Sequence, residues 1–138
     1  MPTIEELFDI LPLNQAMPHL VPTEVSEHAP FVASIEASPL VKAGLWLYVD
    51  ELEKAHVLVQ DLDSAEACAW HAILHRREGD FSNSKYWWHR AGHYGSSEAL
   101  AFVDLVADPH VADPFGLVEQ QRREWLALFE ICQALEAK

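Results

Sequence analysis

Four of the chain's eight histidines fall in one stretch, residues 70–95, which reads WHAILHRREGDFSNSKYWWHRAGHYG. His71 and His75 are four apart, and so are His89 and His93. On a helix that spacing puts both imidazoles of a pair on one face. Cys68 lies three residues before His71, on the same face. Imidazole nitrogens converging from two helices are a natural ligand set for zinc or another divalent metal. A fold-back at Gly79-Asp80 would bring His71 and His89 level, each nine residues from the turn. His71, His75 and His89 are therefore the candidate metal ligands. The spacing matches no named metal motif, and no sequence feature demands a cofactor. The plainer alternative is that these histidines flank a buried seam.

The same stretch holds four of the nine Lys/Arg residues: Arg76, Arg77, Lys85 and Arg90. Guanidinium groups grip oxyanions through two parallel hydrogen bonds, so a small anionic ligand or a partner's carboxylate would suit them. Internal pairing with carboxylates of neighbouring helices is the simpler reading. Tyr86-Trp87-Trp88 covers most of a helical turn, so one ring at least faces away from the core. Trp87 with Ser84 and Ala91 is the expected core stripe, leaving Tyr86, His89 and Arg90 on the other side. Such rings can floor a cleft or simply pack helices.

No catalytic constellation can be completed from the sequence. Cys68 beside His71 lacks any sign of an activated thiol. Ser82 and Ser84 have no nucleophile-elbow context. There is no phosphate loop or dinucleotide fingerprint. Whether the chain is an enzyme stays open at this level.

These residues need helices to position them, and the rest of the chain supplies the pattern. At 138 residues, half of them apolar, the chain is expected to be one helical domain, 1–138, able to bury a core. Residues 1–37 read as an N-terminal arm: a short helix opened by Thr3 and Glu6 and ended by Pro12, then a segment carrying Pro18, Pro22 and Pro30. One or two helical turns are expected within 29–37. Ser38-Pro39 starts a helix. A second follows a break near 50–52 and runs through 53–62. A third, capped by Ser64, spans 65 to about 78. A fourth starts at Ser82 or Asn83 and reaches about 91. A fifth begins at Ser96-Ser97, and the last is capped by Asp113-Pro114. No period-2 alternation or hairpin turn suggests a strand. The expected fold is all-α, about six helices packed as antiparallel hairpins. A shift of 29 residues sets 45–54 against 74–83, a faint tetratricopeptide-like echo.

The formal charge of −13 argues against nucleic acid and against anionic membrane surfaces as partners. Two cysteines make no disulfide framework, and the acidic N-terminus lacks the basic start of a targeting peptide. A soluble, cytoplasmic protein is expected. Oligomeric state is not legible.

The run His71-Ala72-Ile73-Leu74-His75-Arg76-Arg77-Glu78-Gly79-Asp80, followed by Asn83-Ser84-Lys85-Tyr86-Trp87-Trp88 and Arg90, resembles a family of uncharacterised bacterial and fungal proteins. The helix carrying Leu52, Glu53, Ala55 and His56 looks similar too, so the likeness covers roughly 45–92. It departs at His89, where the family tends to have arginine or another residue. The resemblance brings no assigned activity. It implies a site built around His71, His75, Arg76, Arg77, Glu78 and Asp80, with Asn83, Lys85, Tyr86 and Arg90 beside it. Two function classes follow. The first is a helical binding or interaction module whose groove takes an anionic ligand or a partner segment. The second is a metal-binding protein or metal-dependent enzyme centred on His71 and His75.

Overall fold

A computed structural model describes residues 1–111 and 113–137. It is all-helical, 66% helix, with no strand among the described residues. The helices are α1 (Ile4–Ile10), α2 (Ala29–Ala33), α3 (Pro39–Tyr48), α4 (Leu52–Val59), α5 (Ala65–Arg77), α6 (Phe81–Arg90), α7 (Ser97–Ala107) and α8 (Pro114–Glu136). A 3-10 turn, Gly92–Tyr94, links α6 to α7. In the arm, α1 and α2 are the short helix and the helical turns expected there; the other six form the body.

Local chemistry sets most of these boundaries. Ser38, Ser64 and Ser96 each turn a hydroxyl onto the amide three residues ahead, satisfying an end-of-helix donor. Asp113 does the same for Gly116, with Pro114 at the first helical position. Helix α5 ends in a Schellman motif: Asp80 N–H reaches His75 O at 2.8 Å and Gly79 N–H reaches Arg76 O at 3.0 Å. That closure needs a left-handed residue, and Gly79 supplies it with φ of 81°. Asp80, not Ser82 or Asn83, then caps α6 by accepting from Asn83 N. The Schellman closure leaves Asp80 as the first residue after the turn, three before the Asn83 amide, which is the spacing a cap needs.

Sequential helices lie against one another from α3 to α7, and α8 returns to pack on α3. The centre of the core is aromatic. Trp125 stacks on Phe129 at 4.5 Å and lies 4.7 Å from Tyr48 and 6.4 Å from Trp70. Its indole N–H donates to Gly44 O at 2.8 Å. The inward tryptophan of α6 is Trp88, aligned with Ser84 and Ala91; Trp87 is only half-buried. The pair differs by one helical position, and Ser84, which both stripes share, donates its hydroxyl to Ala72 O at 2.6 Å.

The N-terminal arm packs on this body. Leu7, Leu11, Met17, Val32 and Ile35 are buried in the common core. Its irregular backbone is held by side chains reaching out of the helices. Tyr48 donates to Leu11 O, Arg122 to Ala16 O, and Gln121 to His19 O. These bonds satisfy carbonyls that a helix would otherwise have paired. Among the described residues, no helix is long and apolar enough to cross a membrane.

Candidate metal centre

Three imidazoles converge where α4 crosses α5. His71 and His75 project from one face of α5, one turn apart, and His56 projects from α4 to meet them. One ligand nitrogen from each residue lies within 4.8 Å of the other two. The His71 and His75 rings are stacked, with centroids 4.8 Å apart. His56 stands edge-on to both, at 5.0 Å from His71 and 5.7 Å from His75. Trp87 of α6 covers His71 with its rings 3.8 Å apart and tilted by only 11°. Trp87, half-buried at the edge of the core, is thus also a wall of this site.

The electrostatics favour a neutral His71. His71 is 4% exposed. Burial, then the neighbouring His75 and His56, lower its pKa to about 4. An imidazole held neutral near pH 7 keeps a lone pair free for a metal without first losing a proton. Glu78 Oε1 lies 2.9 Å from His75 Nδ1. That nitrogen is buried and makes no hydrogen bond among the described residues, so the contact is close but off the hydrogen-bond line. A small turn of the ring would make Nδ1–H a donor to Glu78 and leave Nε2 for a metal, the usual support for a ligating histidine.

The donor set fits a zinc-class ion. Tetrahedral ligation at about 2.0–2.1 Å sets nitrogens roughly 3.3 Å apart. From within 4.8 Å, the nitrogens must close by up to about 1.5 Å to reach that separation. Three protein ligands leave a fourth position for water or another ligand, as in open rather than closed zinc sites.

The other sequence candidates are placed elsewhere. His89 and His93 are exposed and stand outside the group, and His93 packs on Tyr94. The third histidine is His56, because α5 presents His71 and His75 toward α4 as well as toward Trp87. Cys68 is buried on α5 but outside the ligand group, and burial pushes its thiol pKa up.

Arg76 and Arg77 have no exposed surface. Arg76 meets both carboxylate oxygens of Glu124, at 3.0 and 2.9 Å, and lies 4.5 Å over Phe102. Arg77 donates to Leu47 O, His19 O and Asp50 Oδ1, at 2.8, 3.2 and 2.5 Å. Asp80 is spent on capping, bonding Asn83 through both backbone and side chain. Lys85 pairs with Asp104 at 2.6 Å. Tyr86 is exposed, and Arg90 lies over the rings of Tyr86 and Trp87 at 5.5 and 5.3 Å.

His56 is the candidate ligand that pattern reading does not reach. It enters the sequence argument only as part of the helix resembling the family, with no spacing to tie it to His71. Its polar ring beside the Ala55 and Val59 stripe is the one available signal. Comparison with protein-family models, curated proteins and solved structures finds no match.

Proposed function

We propose that the protein binds a divalent transition metal of the zinc class through His56, His71 and His75. The observation that carries this reading is the approach of three imidazole nitrogens to within 4.8 Å, one of them from a buried neutral ring. The rings come from two helices, α4 and α5. Glu78 is the carboxylate that would orient His75. The anion-groove reading is less favoured, because Arg76 and Arg77 are interior and their charges are met by Glu124 and Asp50. The helical hairpins, read as a short tetratricopeptide-like stack resembling the bacterial and fungal family, are the frame that holds the rings in register.

The test is titration of metal-stripped protein with Zn²⁺ by calorimetry, and with Co²⁺ by visible absorption. One equivalent should bind. At a free metal concentration a hundredfold above Kd, the fold should gain about 2.7 kcal/mol. His56→Ala, His71→Ala and His75→Ala should each abolish the Co²⁺ band, whereas His89→Ala should leave it intact. Unchanged binding in a His56→Ala/His71→Ala protein that still melts cooperatively would overturn the assignment.

A further inference from the structure

A histidine that ligates a metal is usually held in orientation by a hydrogen bond from its second ring nitrogen. His75 has a carboxylate at hand for this in Glu78. His71 does not. It is buried, and among the described residues no hydrogen bond or ion pair holds its ring; its neighbours are other rings. The torsion that turns an imidazole about its Cβ–Cγ bond is intrinsically soft. Something else must fix it if the ring is to keep one direction.

Trp87 is placed to do so. Its indole lies face to face with the imidazole, centroids 3.8 Å apart and planes 11° from parallel. This is closer than the next pair of rings among the described residues, His93 and Tyr94 at 4.1 Å. His75 lies against His71 more loosely, at 4.8 Å and 23°. Against an indole at 3.8 Å, a large turn of the imidazole drives its edge into the flat partner. The stack therefore fixes the torsion, and the ring plane fixes where both nitrogens point, because their lone pairs lie in that plane. Trp87 is itself fastened. Tyr86 meets it edge-on, with planes at 90° and centroids 5.3 Å apart, and the Arg90 guanidinium lies 5.3 Å from its ring.

On the metal reading above, we infer that Trp87 is a positioning residue of the centre. Its indole plane sets the plane of the His71 ring and so aims one nitrogen at the space shared with His56 and His75. What the site requires at this position is a flat side chain, not merely an apolar one. Leu in its place would keep an apolar neighbour and leave the imidazole torsion soft. Phe would keep a flat one.

The experiment uses the full chain, stripped of metal, with Co²⁺ as the probe and its visible band as the readout. Trp87→Leu should weaken Co²⁺ by about tenfold, the lower end of what losing an orienting partner costs a metal site. At saturating Co²⁺ its band should also differ in intensity from the parent's, because a loosely held ring changes the coordination geometry. Trp87→Phe should recover most of both. A merely structural Trp87 would lower the melting temperature and leave the saturated spectrum unchanged. A second measurement needs no variant. By NMR, the His71 ring protons should be displaced upfield by the indole in the metal-free parent, and should stay so with one equivalent of Zn²⁺. The inference falls if Trp87→Leu binds as tightly as the parent with the same saturated band, if Trp87→Phe fares no better than Trp87→Leu, or if Zn²⁺ removes the upfield displacement. A parent that gives no Co²⁺ band would overturn the metal reading itself, and this inference with it.

Discussion

Removing the partner of Arg77 tests whether the motif's arginines are architecture. Arg77 is fully buried, and its guanidinium meets one carboxylate, Asp50, and two backbone carbonyls. Breaking a buried pair from one side typically costs about 3–5 kcal/mol, because the surviving charge is stranded. Here the Leu47 and His19 carbonyls still accept, so Asp50→Asn, which keeps an acceptor, should cost about 2 kcal/mol. Asp50 also has φ of 62°. Asn tolerates that conformation, but Ala adds roughly 1–2 kcal/mol of backbone strain. Asp50→Ala should therefore lose about 4 kcal/mol, combining the acceptor and the strain. For a domain of this length each kcal/mol moves Tm by about 3–4 °C, so Asp50→Asn should melt about 7 °C lower. Urea unfolding at pH 7 gives the free energies, and a cycle with Arg77→Met isolates the coupling. Asp50→Asn within about 0.5 kcal/mol of the parent would refute the argument. The charge pair would then be idle, and the two backbone carbonyls alone would hold Arg77.

Two further predictions concern the histidines and the core. His71 is held neutral in the fold, with a pKa of about 4 against an ordinary 6.5. Between those values the unfolded chain binds the extra proton, so stability is full above pH 6.5 and falls as pH drops toward 4. The linkage amounts to at most about 3 kcal/mol. Stability measured from pH 4 to 7 should thus slope less steeply in His71→Phe, and parallel slopes would count against a buried neutral His71. At Gly44, an added Cβ would stand 2.7 Å from Trp70 Cζ2 and 3.0 Å from Phe129 Cδ1. Gly44→Ala should lower stability by about 1–3 kcal/mol in thermal melts, and a neutral result would mean that the aromatic cluster yields more readily than its packing suggests.

The helices were legible because their signals are local. Ser38-Pro39, Ser64, Gly79, Ser96 and Asp113-Pro114 each act within one turn, and each marks an observed boundary. Errors appear where two local signals compete. Asp80 and Ser82 are both plausible caps for α6, and Trp87 and Trp88 are both plausible core residues. Tertiary contacts accompany both outcomes: the Schellman closure places Asp80, and Trp88 joins the core while Trp87 stacks on His71. The packing of the arm was not legible, because its carbonyls are held by Tyr48, Gln121 and Arg122 from far along the chain.

The candidate site shows the same division more sharply. His71 and His75 share a helix, so their common face follows from spacing alone. The third ring depends on which neighbour α5 meets with that face, and both α4 and α6 flank it. α4 contributes His56, while α6 contributes Trp87, whose flat ring closes the side where His89 was expected. The arginines mislead for a related reason. His71, His75, Arg76 and Arg77 are adjacent in sequence, but the 100° step of the helix sends the histidines and the arginines to different partners. Arg76 turns toward α8 and Glu124, and Arg77 toward the arm and Asp50. One short run of polar residues thus divides its work. The arginines tie α5 to the elements around it, and that rigidity is what lets the histidines next to them hold a fixed geometry.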